Sequence, residues 1–174
     1  MIRTPALFLW LAGSAAWADS MPMADNPVAY YGDWTVFVEP SPLECFAAST
    51  PRRSTLTKPE GSTVDSTRLP VLQVTIRPAD LVVGEVSVFV GDATLRIAGD
   101  VAMTGKGAPV TLFSNGAWAW PTNSEADMQV LAVMGTVSEV TMSGALVNGT
   151  GFADVYSTRG LTEAMMEAAR RCTS

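Results

Sequence analysis

The 174-residue sequence contains no histidine. That absence removes imidazole acid–base catalysis, histidine-based nucleophilic triads and the commonest zinc sites. Basic residues are scarce as well: 11 Lys and Arg stand against 17 Asp and Glu, for a net charge of −6. An excess of that sign argues against nucleic acid or an anionic membrane surface as the main partner. Beyond the first twenty residues, no apolar run is long and unbroken enough to span a bilayer. Cysteine occurs only twice, at Cys45 and Cys172.

What is present begins with a leader. "MIRTPALFLWLAGSAAWADS" has Arg3 as a short basic region, an apolar run over residues 6–11, and Ala16-Trp17-Ala18 as an A-x-A cleavage site. The run falls short of the roughly 20 residues that a membrane anchor needs. The expectation is a signal peptide over residues 1–18, cleaved after Ala18, so that the mature chain starts at Asp19. Removal of Arg3 makes the remainder one charge more negative. Residues 19–29 then form a flexible N-terminal arm, and residues 30–174 one domain, in the periplasm, outside the cell or associated with the outer membrane.

Within that domain, apolar and polar residues alternate with the period of two of half-buried strands. Leu72, Val74 and Ile76 share a face in "LQVTIR", Val86, Val88 and Val90 in "EVSVFV", and Val140, Met142 and Leu146 in "VTMSGAL". "WTVFV", "LECFAA", "TLRIA", "VTLF" and "FADVYS" read as further strands. Pro40 and Pro42 mark a tight connection between the first two, and Asn148-Gly149 a hairpin. Many short strands with frequent turns predict a mainly β fold, a β-sandwich or partly closed barrel.

Two helices interrupt the strands. In "TNSEADMQVLAVMG", Thr122 and Glu125 have capping-box spacing, Met128, Leu131 and Met134 share a face, and Gly135 supplies the stop. The second starts near Thr162, with Glu163 in its first turn and Arg170-Arg171 in its last, an order that suits the helix dipole. Its apolar face runs through Leu161, Met165, Ala168 or Ala169, and Cys172, and is expected to pack on the sheet. Between the second and third strands, residues 49–70 are rich in Ser, Thr and Pro and carry Arg52, Arg53, Lys58 and Arg68. This stretch reads as a solvated, mobile loop or a partner-contacting one, with Arg52 and Arg53 as its candidate binding residues.

An exported chain with two cysteines most simply forms one disulfide, Cys45–Cys172, tying the final helix back across the fold. A catalytic thiol needs a neighbour that lowers its pKa, and no histidine exists to serve.

"YGDWTVF", a lone cysteine in "ECFAAS", Arg77-Pro78 closing a strand, "GAWAW", "DVYSTRGLTEAM" and a last cysteine follow in that order. This succession, above all Tyr156-Ser157, Gly160 and Cys172, resembles the invasion-associated locus B family over residues 30–172. The resemblance implies an exported bacterial β-sandwich domain, linked by the family's name to association with host cells.

Asp33-Trp34 reads as a turn leading a buried aromatic into the first strand, with a functional pair as the rival. Trp118 and Trp120 share a face in "AWAWP", as core packing, a hairpin edge or a sugar-stacking platform. Carboxylate pairs are the acid–base route that survives the lack of histidine, which leaves a carboxylate-based hydrolase as a remote alternative. Met21 and Met23 offer thioethers to copper(I), or lie in a plain N-terminal arm. "NGT" at Asn148 is a hairpin turn in a bacterial protein. The leading expectation is a non-enzymatic binding module, without metal or cofactor, for an envelope or host protein. The alternative is carbohydrate binding through Trp118 and Trp120.

Overall fold

Alternation becomes pairing in the structure, a computed structural model that describes residues 26–173. The leader, its cleavage site, Met21 and Met23 lie outside the described residues. The strands are β1 (Pro27–Tyr31), β2 (Trp34–Pro40), β3 (Leu43–Ser49), β4 (Arg53–Thr57), β5 (Thr63–Asp65) and β6 (Val71–Arg77). They continue as β7 (Val82–Phe89), β8 (Ile97–Thr104), β9 (Val110–Asn115), β10 (Trp118–Trp120), β11 (Glu139–Leu146) and β12 (Gly151–Ser157). A single turn of 3-10 helix (Pro78–Asp80) separates β6 from β7, α1 (Ser124–Met134) follows β10, and α2 (Leu161–Cys172) ends the chain.

All twelve strands join one antiparallel sheet in the order β1-β2-β3-β6-β7-β10-β9-β8-β11-β12-β4-β5. The sheet does not close, since β1 and β5 remain as its edges. It curls far enough for its distant parts to meet. The Trp34 indole Nε1–H, at the start of β2, donates to the Ser157 carbonyl at the end of β12 (3.0 Å), and Asp33 N–H donates to the Arg159 carbonyl (3.0 Å). One apolar core fills the fold: Leu72, Val74, Val86 and Val88 from one half share it with Val101, Leu112, Met142 and Tyr156 from the other. This is the mainly β architecture, with one internal and one terminal helix, that the alternation predicts.

The last helix packs against β2 and β3 through Leu161, Ala164, Ala168 and Cys172, spaced to fall on one stripe. Ala164 takes the inner place expected of Met165, which is only partly covered. Small side chains allow close approach of helix to sheet, and Cys172 bonds to Cys45 on β3. No helix among the described residues is long and apolar enough to cross a membrane.

Four expectations need correction. Residues 49–70 are solvated over 57–65 but are not an irregular loop: β4 pairs with β12, β5 pairs with β4, and Arg68 is drawn inside. The stretch is polar because it forms the rim of the sheet, where one face meets water. Pro27, Val28 and Ala29, assigned to the arm, belong to β1, where Pro27 and Ala29 pair with β2 and the register shifts at Val28 between them. The strand expected at "TLRIA" begins only at Ile97 and runs to Thr104, absorbing Gly99 at φ 72 in a stretch where the register slips. Finally, α1 is capped by Asn123, whose side chain accepts from Ala126 N–H, rather than by Thr122. Its inner face is Asp127, Val130 and Met134, while Met128 is 63% exposed. The helix turns its aspartate inward because Asp127 Oδ1 accepts the Val86 N–H of β7 at 2.8 Å.

Candidate functional site: an aromatic row beside an apolar depression

Strand β10 is only three residues long, and its pleat divides them cleanly. Ala119 enters the core, while Trp118 and Trp120 stand half-buried on the opposite face. Cross-strand register sets Trp118 opposite Phe89 of β7 and Trp120 opposite Phe113 of β9. Four rings therefore follow one another: Phe89–Trp118 at 4.9 Å, Trp118–Trp120 at 6.2 Å and Trp120–Phe113 at 5.6 Å between centroids. The two indoles lie within 18° of parallel. Such contacts add about 0.5–1.5 kcal/mol per pair beyond area burial, and the row runs from the buried Phe89 to the exposed Phe113.

At the Trp120 end the row meets a depression of about 550 Å³. Its walls include Leu81, Val83, Phe113 and Trp120 on the apolar side, and Asn115, Asn123, Glu85 and Asp127 on the polar side. Leu81 is 89% exposed, Val83 81% and Phe113 43%. Met128 follows one helical turn after the wall residue Ser124. Scattered exposed apolar side chains are ordinary; here three of them line one depression. Leu81 is also the one non-glycine residue with positive φ among those described (φ 58). Leucine pays for that left-handed conformation, and strain of this type collects at ligand clamps. Inside the depression, burial raises the Asp127 carboxyl above its ordinary range, against the lowering effect of its bond to Val86 N–H.

Arg52 and Arg53 lie elsewhere. They line a second depression of about 490 Å³ that shares no residue with the first. Arg52 is engaged by Asp33 at 2.8 Å and by Glu139 at 3.7 Å. The four residues singled out in the sequence therefore form two surfaces. Val83 and Phe113 were missed because an exposed apolar residue on a strand is invisible to periodicity, which assigns apolar residues to the core, and Leu81 because it lies in the turn before β7.

Another unforeseen group is internal. Asp154, wholly buried on β12, accepts from Arg68 Nη2 at 2.8 Å and from the Ser54 hydroxyl. Arg68 also donates to the Val90 carbonyl at 2.8 Å and lies over the Phe152 ring at 5.2 Å. Burial raises the Asp154 carboxyl, with Ser54 and Arg68 opposing. A signal existed in the sequence: Phe152, Asp154 and Tyr156 share the period-two face that points inward. Its ion pair with Arg68 joins β12 to the segment that carries β4 and β5. Among the described residues, no group of three or more Asp, Glu or Cys side chains is arranged to hold a metal ion.

The motifs of "YGDWTVF" and "DVYSTRGLTEAM" meet at the seam of the curled sheet. Gly32 and Gly160 both take positive φ (57 and 91), and a Cβ on either would collide with backbone, Arg159 carbonyl in one case and Tyr31 carbonyl in the other. Asp33 receives Arg159 and Arg52 there. Its carboxyl is held far below the usual range, first by the Arg159 hydrogen bond, then by Ser157, with Arg52 adding to it. These motifs hold the fold shut, and Trp34 is the buried aromatic that the turn delivers.

No family model matches this sequence. No curated protein matches it either. Among solved structures, the chain is similar to invasion associated protein B from Bartonella henselae, with a TM-score of 0.53 over 84% of this chain and 98% of that one. Sequence identity between the two is 12%. At that identity the likeness is one of fold: the chain adopts the fold of that invasion associated protein.

Proposed function

We propose that this chain is an exported bacterial envelope protein and acts as a non-enzymatic binding module, with the face around Leu81, Val83, Phe113 and Trp120 holding another envelope component or a host protein. The observation that carries this reading is the gathering of exposed apolar side chains about one depression. The leader-like N-terminus and the Cys45–Cys172 bond support export. The fold likeness to an invasion associated protein supports a role at the cell surface. The lack of histidine and the ion-paired state of Asp154 support a binding rather than a catalytic role.

A photo-crosslinking residue at position 83, expressed in intact cells, tests it. The expected result is one dominant adduct, absent when the crosslinker stands at position 147 on the far hairpin. Equal adducts at both positions, or none at position 83, would overturn the reading.

A second reading rests on the near-parallel Trp118 and Trp120 rings, which suit the apolar face of a sugar. A glycan array separates the two: a signal lost in Trp118→Ala but kept in Val83→Ser favours carbohydrate.

A further inference from the structure

We propose that the depression between Leu81 and Trp120 receives a basic amphipathic polypeptide segment, an inference that rests on the binding-face reading above and names its partner's chemistry. Its size fits one or two large side chains, since pockets of about 300–1,000 Å³ accommodate small organic ligands. Its walls carry two carboxylates, Glu85 and Asp127, and no lysine or arginine. Arg77, paired across the strands with the wall residue Val82, is shared among Glu85 (3.0 Å), Asp80 (3.4 Å) and Glu44 (3.9 Å), so this cation is outnumbered by carboxylates. Glu125, in the first turn of α1, adds another.

An apolar surface under a negative rim selects its occupant by elimination. A second copy of the chain would bring the same acidic rim against itself, and the whole chain carries a net charge of −6. An anionic lipid surface is repelled for the same reason. A neutral apolar segment would cover the rim without offsetting its excess negative charge, and desolvating uncompensated charge is costly. A segment with leucine-like side chains on one face and lysine or arginine beside them satisfies both parts. Its apolar side chain enters between Leu81 and Trp120, and its cations meet the partly exposed carboxylates Glu85 and Asp80. The left-handed turn at Leu81 serves this purpose: it lifts an otherwise unsupported leucine to the mouth of the depression.

The test is a tryptophan-fluorescence titration of the purified protein with a short amphipathic peptide of leucine and lysine, which has no fluorescence of its own. A twin with glutamate in place of lysine serves as comparison. The expected result is binding of the lysine peptide alone, weakening as salt rises. Val83→Ser and Leu81→Gly should each weaken it about tenfold, the equivalent of about 1.4 kcal/mol, while Val147→Ser leaves it unchanged. Equal binding of both twins, no binding of the lysine peptide, or binding indifferent to Val83 and Leu81 would overturn the inference. Val83-dependent binding to vesicles of anionic lipid in preference to the peptide would overturn it too. If position-83 crosslinks persist in cells after such a result, the binding face stands and only its basic partner is rejected.

Discussion

Arg68 Nη2 lies 2.8 Å from Asp154 Oδ1, and the two side chains are only 7% and 0% exposed. This pair joins the edge segment that carries β4 and β5 to the inner face of β12. Removing one partner of such a pair strands the other charge, a loss of about 3–5 kcal/mol. Arg68→Met should therefore be strongly destabilised at neutral pH. The pH dependence follows from burial, which already raises the Asp154 carboxyl. Without the guanidinium it rises further. A raised carboxyl holds its proton in the folded state, so its stabilising effect is complete below the unfolded value near 3.9 and is lost as pH rises through the folded value. The deficit of Arg68→Met should shrink between pH 7 and pH 4. Denaturant unfolding at both values checks it; a constant deficit would contradict the account.

The Cys45–Cys172 bond closes a loop of 127 positions. Bridges typically contribute about 2–4 kcal/mol. Cys172→Ser and Cys45→Ser should each lose an amount in that range, and the double variant little more than either. Denaturant unfolding of the four proteins without reductant, with thiol titration of the parent, reads this out. Additive losses would mean that each cysteine acts by packing alone.

Trypsin should spare residues 49–70 in the folded protein. Arg52 is held by Asp33 and Glu139, Arg53 lies in a paired strand, Arg68 is buried, and Lys58 precedes a proline. Lys106, exposed in the turn between β8 and β9, should be the first site cut. Mass spectrometry of early fragments decides, and a first cut at Arg53 would restore the mobile loop.

Leu81→Gly separates strain from function. Release of the left-handed conformation is worth about 1–2 kcal/mol, offset by about 0.5–1 kcal/mol of extra backbone freedom in the unfolded chain. The variant should be as stable as the parent, or slightly more so, while binding at the depression weakens. A marked fall in melting temperature would show that the leucine supports the fold.

Asp33→Asn should cost about 1 kcal/mol or less at pH 7, because its pairs with Arg159 and Arg52 are partly exposed and screened by solvent. The depressed Asp33 carboxyl stabilises the fold above its unfolded value near 3.9, and that contribution fades as pH falls below it. The difference between parent and variant should shrink steadily as pH falls below that unfolded value. A gap unchanged between pH 5 and pH 2 would assign the effect to shape rather than charge.

The sequence by itself determined the strands whose alternation is local, such as Val86 and Val88 in β7 or Val140 and Met142 in β11, because the period of two is a property of a few neighbouring residues. It also determined the one disulfide open to it, since two cysteines permit a single intramolecular pairing. Trp118 and Trp120 were legible as neighbours on one face for the same local reason. Only the tertiary structure decided that Ser54, Arg68 and Asp154 would meet, that "RSTLT" would become a strand, and that Asp127 would face inward to Val86. Each depends on partners far away in the chain, whose contribution outweighs the polar character visible locally. The exposed group of Leu81, Val83 and Phe113 is of the same kind: two segments supply it, β7 with the left-handed turn before it and β9, and only their pairing on either side of β10 brings them to one depression.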